Sequence, residues 1–122
     1  MKKFAIINTQ FEGVHNWDSA PESVSYLRNL HRHVFYVTVK IEQYNINRDI
    51  EFILFKKVIE KLIDELVPVI KLGEQEYKKI ESCEHLAQKL LIEIEKKYEG
   101  RGVSVQVFED KENGAEVEDG IR

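Results

Sequence analysis

The segment 30–42, LHRHVFYVTVKIE, alternates with the period of two that marks a half-buried strand. Phe35, Val37, Val39 and Ile41 fall on one face, and Tyr36, Thr38, Lys40 and Glu42 on the other. This predicts a strand over 33–42 with two histidines, His31 and His33, at its mouth. Residues two apart on a strand share a side, so both imidazoles point the same way if the strand begins that early. A pair at this spacing can chelate one ion, or it can be two ring side chains that happen to flank Arg32. A third ligand comes into reach only if the strand ahead of it is an antiparallel neighbour, because its far end then brings His15 alongside.

The elements around this strand set the fold class. A first strand is predicted from Phe4 to His15, with Gly13 permitting a bulge or a close approach. The stretch NWDSAPESVSYLRNL carries the Asp, Ser, Pro and Asn of a loop and is long for a connection. A helix is expected over 49–66, where Phe52, Phe55, Ile59, Leu62 and Leu66 form one stripe and Pro68 ends it. The segment VIKLGEQEYKKIE reads as a loop or irregular piece. Ser82 is a good N-cap for a second helix reaching Tyr98, with Leu86, Leu90, Leu91 and Ile94 inward and Gly100 at its end. Strands follow at Val103–Glu109 and, after the turn DKENG, at the short run AEVE. The order β-β-α-α-β-β predicts an α+β domain, a four-stranded antiparallel sheet with both helices on one face. Residues 1–122 form one domain in this reading, and 111–122 is a charged C-terminal turn with a short strand or tail.

Composition narrows the class. The chain has 122 residues, 33% of them charged and 43% hydrophobic, which suits one globular domain. A net charge of −4 lacks the basic field of a nucleic-acid binder. The single cysteine, Cys83, excludes an internal disulfide and fits a reducing compartment. The start MKKFAIINTQFEG turns polar too soon for a signal-peptide core, and no apolar run approaches the ~20 residues that span a bilayer. A cytoplasmic protein with no membrane partner is expected.

Glu109 is the second unusual residue. It shares parity with Val103, Val105 and Val107, so a carboxylate terminates an apolar stripe. Either the strand leaves the core there, or the carboxylate meets a donor such as the adjacent N–H groups of a bound heterocycle. Glu84 in the first turn of the second helix complements the helix dipole. Cys83 reads as a small buried residue, His85 as a surface residue, and Trp17 as a lid aromatic or a packing residue.

These pieces together resemble the 6-pyruvoyl-tetrahydropterin synthase and 6-carboxytetrahydropterin synthase family over nearly the whole chain. The resemblance rests on FEGVH at 11–15, LHRHVFYVTVKIE at 30–42, EFILFK at 51–56, SCEHLA at 82–87 and VSVQVFED at 103–110. In that family a strand ends in Phe-x-x-x-His, the next opens with His-Gly-His, and the three histidines hold zinc. His15, His31 and His33 match, with Arg32 in place of glycine. The resemblance implies Zn2+ as cofactor and Glu109 as the anchor of a pterin or purine-like ligand, although Asp110 replaces the threonine that usually follows. Ser82 and Glu84 match a hydroxyl and a glutamate of the family's substrate-binding Pro-Thr-x-Glu, while Glu81 stands where its proline would be. It also implies the tunnelling fold, whose sheets join into a barrel trimer and stack as a homohexamer.

The departures concern proton transfer. Leu27 stands where the synthases carry cysteine and a variant branch carries glutamate. Val67 and Pro68 fall at the family's Asp-His pair. The resemblance therefore implies a zinc-dependent lyase acting on a dihydroneopterin-triphosphate-like pterin with a reassigned acid/base set. Asp18, Glu22, Tyr26 and Arg28, in the loop that would border the zinc, are the candidates. The alternatives are a non-catalytic zinc oligomer that binds a pterin, purine or nucleotide, and a scaffold that binds nothing small.

Overall fold

The buried apolar residues of the first two strands are odd-numbered, Val14 apart, and this asymmetry sets the layering. A computed structural model describes residues 1–120. Strand β1 (Lys3–His15) pairs antiparallel with β2 (His31–Gln43), with Ala5 opposite Ile41, Phe11 opposite Phe35 and His15 opposite His31. Strand β5 (Val103–Glu109) continues the sheet beside β2, with Val105 opposite Val39 and Glu109 opposite Phe35. Phe35, Val37, Val39, Ile41, Val103, Val105 and Val107 are fully buried under the helices. At ~1.5–3 kcal/mol for each side chain taken from water, this stripe outweighs any surface ion pair.

Helix α1 (Phe52–Leu66) packs on β1, and α2 (Cys83–Lys97) packs on β5 and on β6 (Asn113–Asp119). The helix stripe is borne out at Phe55, Ile59 and Leu62, but Phe52 is 60% exposed and Ile63 is buried in its stead. The helix starts at Phe52 rather than Asp49, since the Glu51 carboxylate accepts from the Ile53 and Leu54 N–H groups as its N-cap. Ser82 caps α2 as expected, accepting from the His85 N–H at 3.1 Å.

The expected four-stranded sheet is in fact six-stranded, in the order β3-β4-β1-β2-β5-β6. The additional strands, β3 (Val69–Leu72) and β4 (Gln75–Lys79), form a hairpin where an irregular segment was expected. Its two-residue turn has Gly73 in the left-handed region, φ 68°, which glycine adopts without steric cost. Strand β4 docks parallel to the end of β1 at Gly13 and Val14, so the sheet is mixed. That close approach explains Gly13: a Cβ there would lie 3.0 Å from the Lys78 carbonyl oxygen and 3.1 Å from the Phe35 ring. Strand β6 is also longer than the expected AEVE, and the terminal residues 121–122 of the expected tail lie outside the described ones. Among the described residues no helix is long and apolar enough to cross a membrane.

Candidate metal centre

The antiparallel register places His15 directly across from His31, and Gly13 across from His33. All three histidines have odd parity, so they continue the core face of the sheet to its end. Their ring centroids stand 4.5–5.0 Å apart. One nitrogen from each lies within 4.8 Å of the other two, and this trio could hold a metal ion. Tetrahedral zinc–imidazole geometry places ligand nitrogens about 3.3 Å apart. The Phe35 ring packs edge-on beneath His15 and His33 and supports them from the core.

The donor chemistry fits such an ion. His31 Nδ1 lies 2.8 Å from the Asn29 carbonyl oxygen, which can only accept, so the proton sits on Nδ1 and Nε2 is free. His33 Nδ1 is engaged by the Asp110 carboxylate, and its Nε2 has Glu109 Oε2 3.7 Å away. Burial, followed by the neighbouring His31 and His33, lowers the His15 pKa to about 4. At neutral pH that ring is an uncharged imidazole, the form that binds metals.

Glu109 ends the apolar stripe of β5 and turns toward the trio. Its Oε2 lies 3.2 Å from His15 Nε2 and 3.7 Å from His33 Nε2. A cavity of about 590 Å³ opens beside it, lined by His15, His31 and Glu109 together with residues 81–85 at the start of α2. Ser82 and Glu84 are thus brought to the same cavity as His15 and His31. Cys83 lines it too, but burial and then the nearby Glu109 and Glu84 push its thiol up to about 12, so no thiolate is present at neutral pH. Among the described residues it is the only cysteine, and it is free.

The long loop contributes Asn16, Trp17 and Leu27 to the cavity wall. Asp18, Glu22, Tyr26 and Arg28 are not brought there. Asp18 accepts from Asn16 Nδ2 at 2.6 Å, and Arg28 donates to the Ala20 carbonyl at 2.8 Å and to Glu22 at 3.3 Å. Tyr26 is 70% exposed. The charged groups of the loop therefore hold its own short 3-10 segment, Glu22–Arg28, together. Val67 is buried at the end of α1 and Pro68 follows it, and neither lines this cavity.

Two residues at the site were not singled out for it from the sequence. His85 is exposed, as expected, and also lines the cavity, with its Nδ1 2.6 Å from the Ser82 hydroxyl oxygen. Its spacing of three from the N-cap was the available signal. Asp110 reaches His33 because the chain turns sharply after β5.

No family model and no curated protein sequence matches the chain. Among solved structures it is similar to Plasmodium falciparum 6-pyruvoyl tetrahydropterin synthase, at 16% identity and a TM-score of 0.66, over 98% of this chain and 99% of that one. A Plasmodium vivax 6-pyruvoyltetrahydropterin synthase with a catalytic glutamate replaced by alanine gives 15%, 0.61 and 99% of both chains. An uncharacterised protein from Wolinella succinogenes gives 16%, 0.63, 96% of this chain and 98% of that chain. The fold is that of the tetrahydropterin synthases.

Proposed function

We propose that this protein is a zinc-dependent lyase of the pterin synthase type, acting on a dihydroneopterin-triphosphate-like pterin. The observation that carries the reading is the convergence of His15, His31 and His33 beside a cavity whose wall includes His15, His31 and Glu109. Three imidazoles leave a coordination position open, as catalytic rather than structural zinc sites do. Zinc held there would polarise a substrate oxygen as a Lewis acid. Glu109 accepts paired N–H groups of the heterocycle and orients it, and Ser82 and Glu84 complete the polar wall at the start of α2. Leu27 contributes only an apolar surface. The acid/base work falls to side chains already in the cavity, and His85, Glu84 and Glu81 line it where Asp18, Glu22, Tyr26 and Arg28 do not.

The chain works as one domain in this reading, in the cytoplasm, and assembles as a trimer or hexamer. Strands β3 and β6 are the outer strands of the sheet and have unpaired edges for such assembly.

A second reading is favoured by one observation, the presence of Leu27 in the cavity wall where the resembling synthases carry a proton-transferring residue. In it the protein holds a pterin, purine or nucleotide without converting it. Incubating the metal-loaded protein with 7,8-dihydroneopterin triphosphate separates the two. Product formation that a chelator abolishes supports the lyase. Stoichiometric binding with no product supports the binding protein.

A further inference from the structure

We propose that Asp110 is a positioning residue of the metal centre, holding His33 in the tautomer that presents Nε2 to the ion. This rests on the metal reading of the three histidines and goes beyond it, because Asp110 is not itself a ligand in that reading.

The geometry is specific. Asp110 follows the last residue of β5 directly and has a left-handed backbone, φ 53°. A short polar residue tolerates that conformation where a β-branched one would be strained. Its N–H donates to the Val34 carbonyl at 2.8 Å, and its Oδ1 accepts from the Val34 N–H at 2.9 Å. Val34 is thus gripped at both backbone groups, which fixes the carboxylate beside the residue that precedes it. The remaining oxygen, Oδ2, contacts His33 Nδ1. Neither oxygen is left to reorient.

A carboxylate can only accept, so a neutral His33 carries its proton on Nδ1 and its lone pair on Nε2, the nitrogen 3.7 Å from Glu109 Oε2. An orienting partner of this kind fixes the ring and raises its basicity as a ligand. The three histidines differ in this respect. His31 is backed by the neutral Asn29 carbonyl, His33 by a full negative charge, and His15 by packing against Phe35. A threonine at 110 would not do the same, because a hydroxyl can donate as well as accept and leaves the tautomer open.

The test uses chelator-stripped full-length protein as wild type, Asp110→Asn and Asp110→Thr, with Asp64→Asn as a surface control. Zn2+ affinity is measured by competition with a chromophoric chelator, Co2+ binding by its visible spectrum, and the His33 tautomer by long-range 1H–15N correlation in the metal-free protein. Asparagine keeps the acceptor for the Val34 N–H but turns an N–H toward His33. It should weaken Zn2+ by ~10–100-fold, alter the Co2+ spectrum and move the His33 proton to Nε2, with thermal unfolding little changed. Threonine should weaken binding in the same direction, and Asp64→Asn should not. Unchanged Zn2+ affinity in Asp110→Asn, or a wild-type His33 protonated on Nε2, overturns the inference and leaves the metal reading intact. A wild type that binds neither metal overturns both.

Discussion

At the Gln43 end of the central strands, Arg101 donates to both oxygens of Asp49, at 2.6 and 3.0 Å, and to the Glu42 carbonyl at 3.1 Å. The Tyr44 N–H adds a fourth hydrogen bond at 2.7 Å, and the guanidinium lies 4.0 Å above the Tyr44 ring. At the His15 end of the same strands, three imidazoles and Glu109 turn toward one another. Two of the imidazoles, His31 and His33, have one ring nitrogen already bonded, and His15 and His31 line a cavity. The first cluster matches donors to acceptors and closes on itself. The second gathers three imidazoles around the Glu109 carboxylate, and among the described residues no lysine or arginine pairs with that carboxylate. Polar groups spent on stability complete one another, whereas polar groups kept for a ligand wait for it.

The contrast breaks first at His31. His31→Ala should abolish stoichiometric metal retention by elemental analysis, with the helical circular dichroism preserved. Retained zinc would remove His31 as a ligand. Next in size is Phe35→Ala, because Phe35 is fully buried and also supports His15 and His33. It should cost ~3–5 kcal/mol in urea denaturation and weaken metal binding as well. A loss of stability with unchanged metal affinity would separate the core from the centre.

Gly13→Ala should have an intermediate effect. The added Cβ presses on the Lys78 carbonyl and the Phe35 ring opposite His33, so it should lower the melting temperature and weaken Zn2+ together. The smallest effect belongs to the closed end. Hydrogen bonds from Arg101 and then from the Tyr44 N–H hold the Asp49 pKa at about 2, below the ordinary 3.8. A lowered carboxylate pKa stabilises the fold above the unfolded value and loses that contribution as pH falls through the folded one. The stability gap between wild type and Asp49→Asn should therefore be constant from pH 5 to 7, shrink below about pH 4 and close toward pH 2. Urea midpoints across that range measure it, and a gap independent of pH would contradict the ion pair.

How much of this the sequence discloses depends on how local the signal is. The alternation at Phe35–Ile41 and Val103–Val107 and the spacing of Leu86, Leu90 and Ile94 expose the central strands and α2, because each reports which side of one element is dry. The hairpin Val69–Lys79 escapes that reading. Its strands lie at the sheet edge, where neither face is dry enough to force an alternation, and only Gly73 signals the turn. The histidines are legible as a pair from spacing alone, and His15 joins them once antiparallel pairing is assumed. Asp110 is not legible, since its reach to His33 depends on a left-handed turn and on Val34 of another strand. His85 is hidden because a polar residue in the first turn of a helix faces solvent as readily as a cavity.

The most direct test is zinc K-edge absorption fine structure on the loaded protein. Three imidazole nitrogens at ~2.0–2.1 Å with the remaining scattering from oxygen is the result expected. A sulfur shell at ~2.3 Å, or oxygen alone without imidazole scattering, would contradict the convergence of His15, His31 and His33 on one ion.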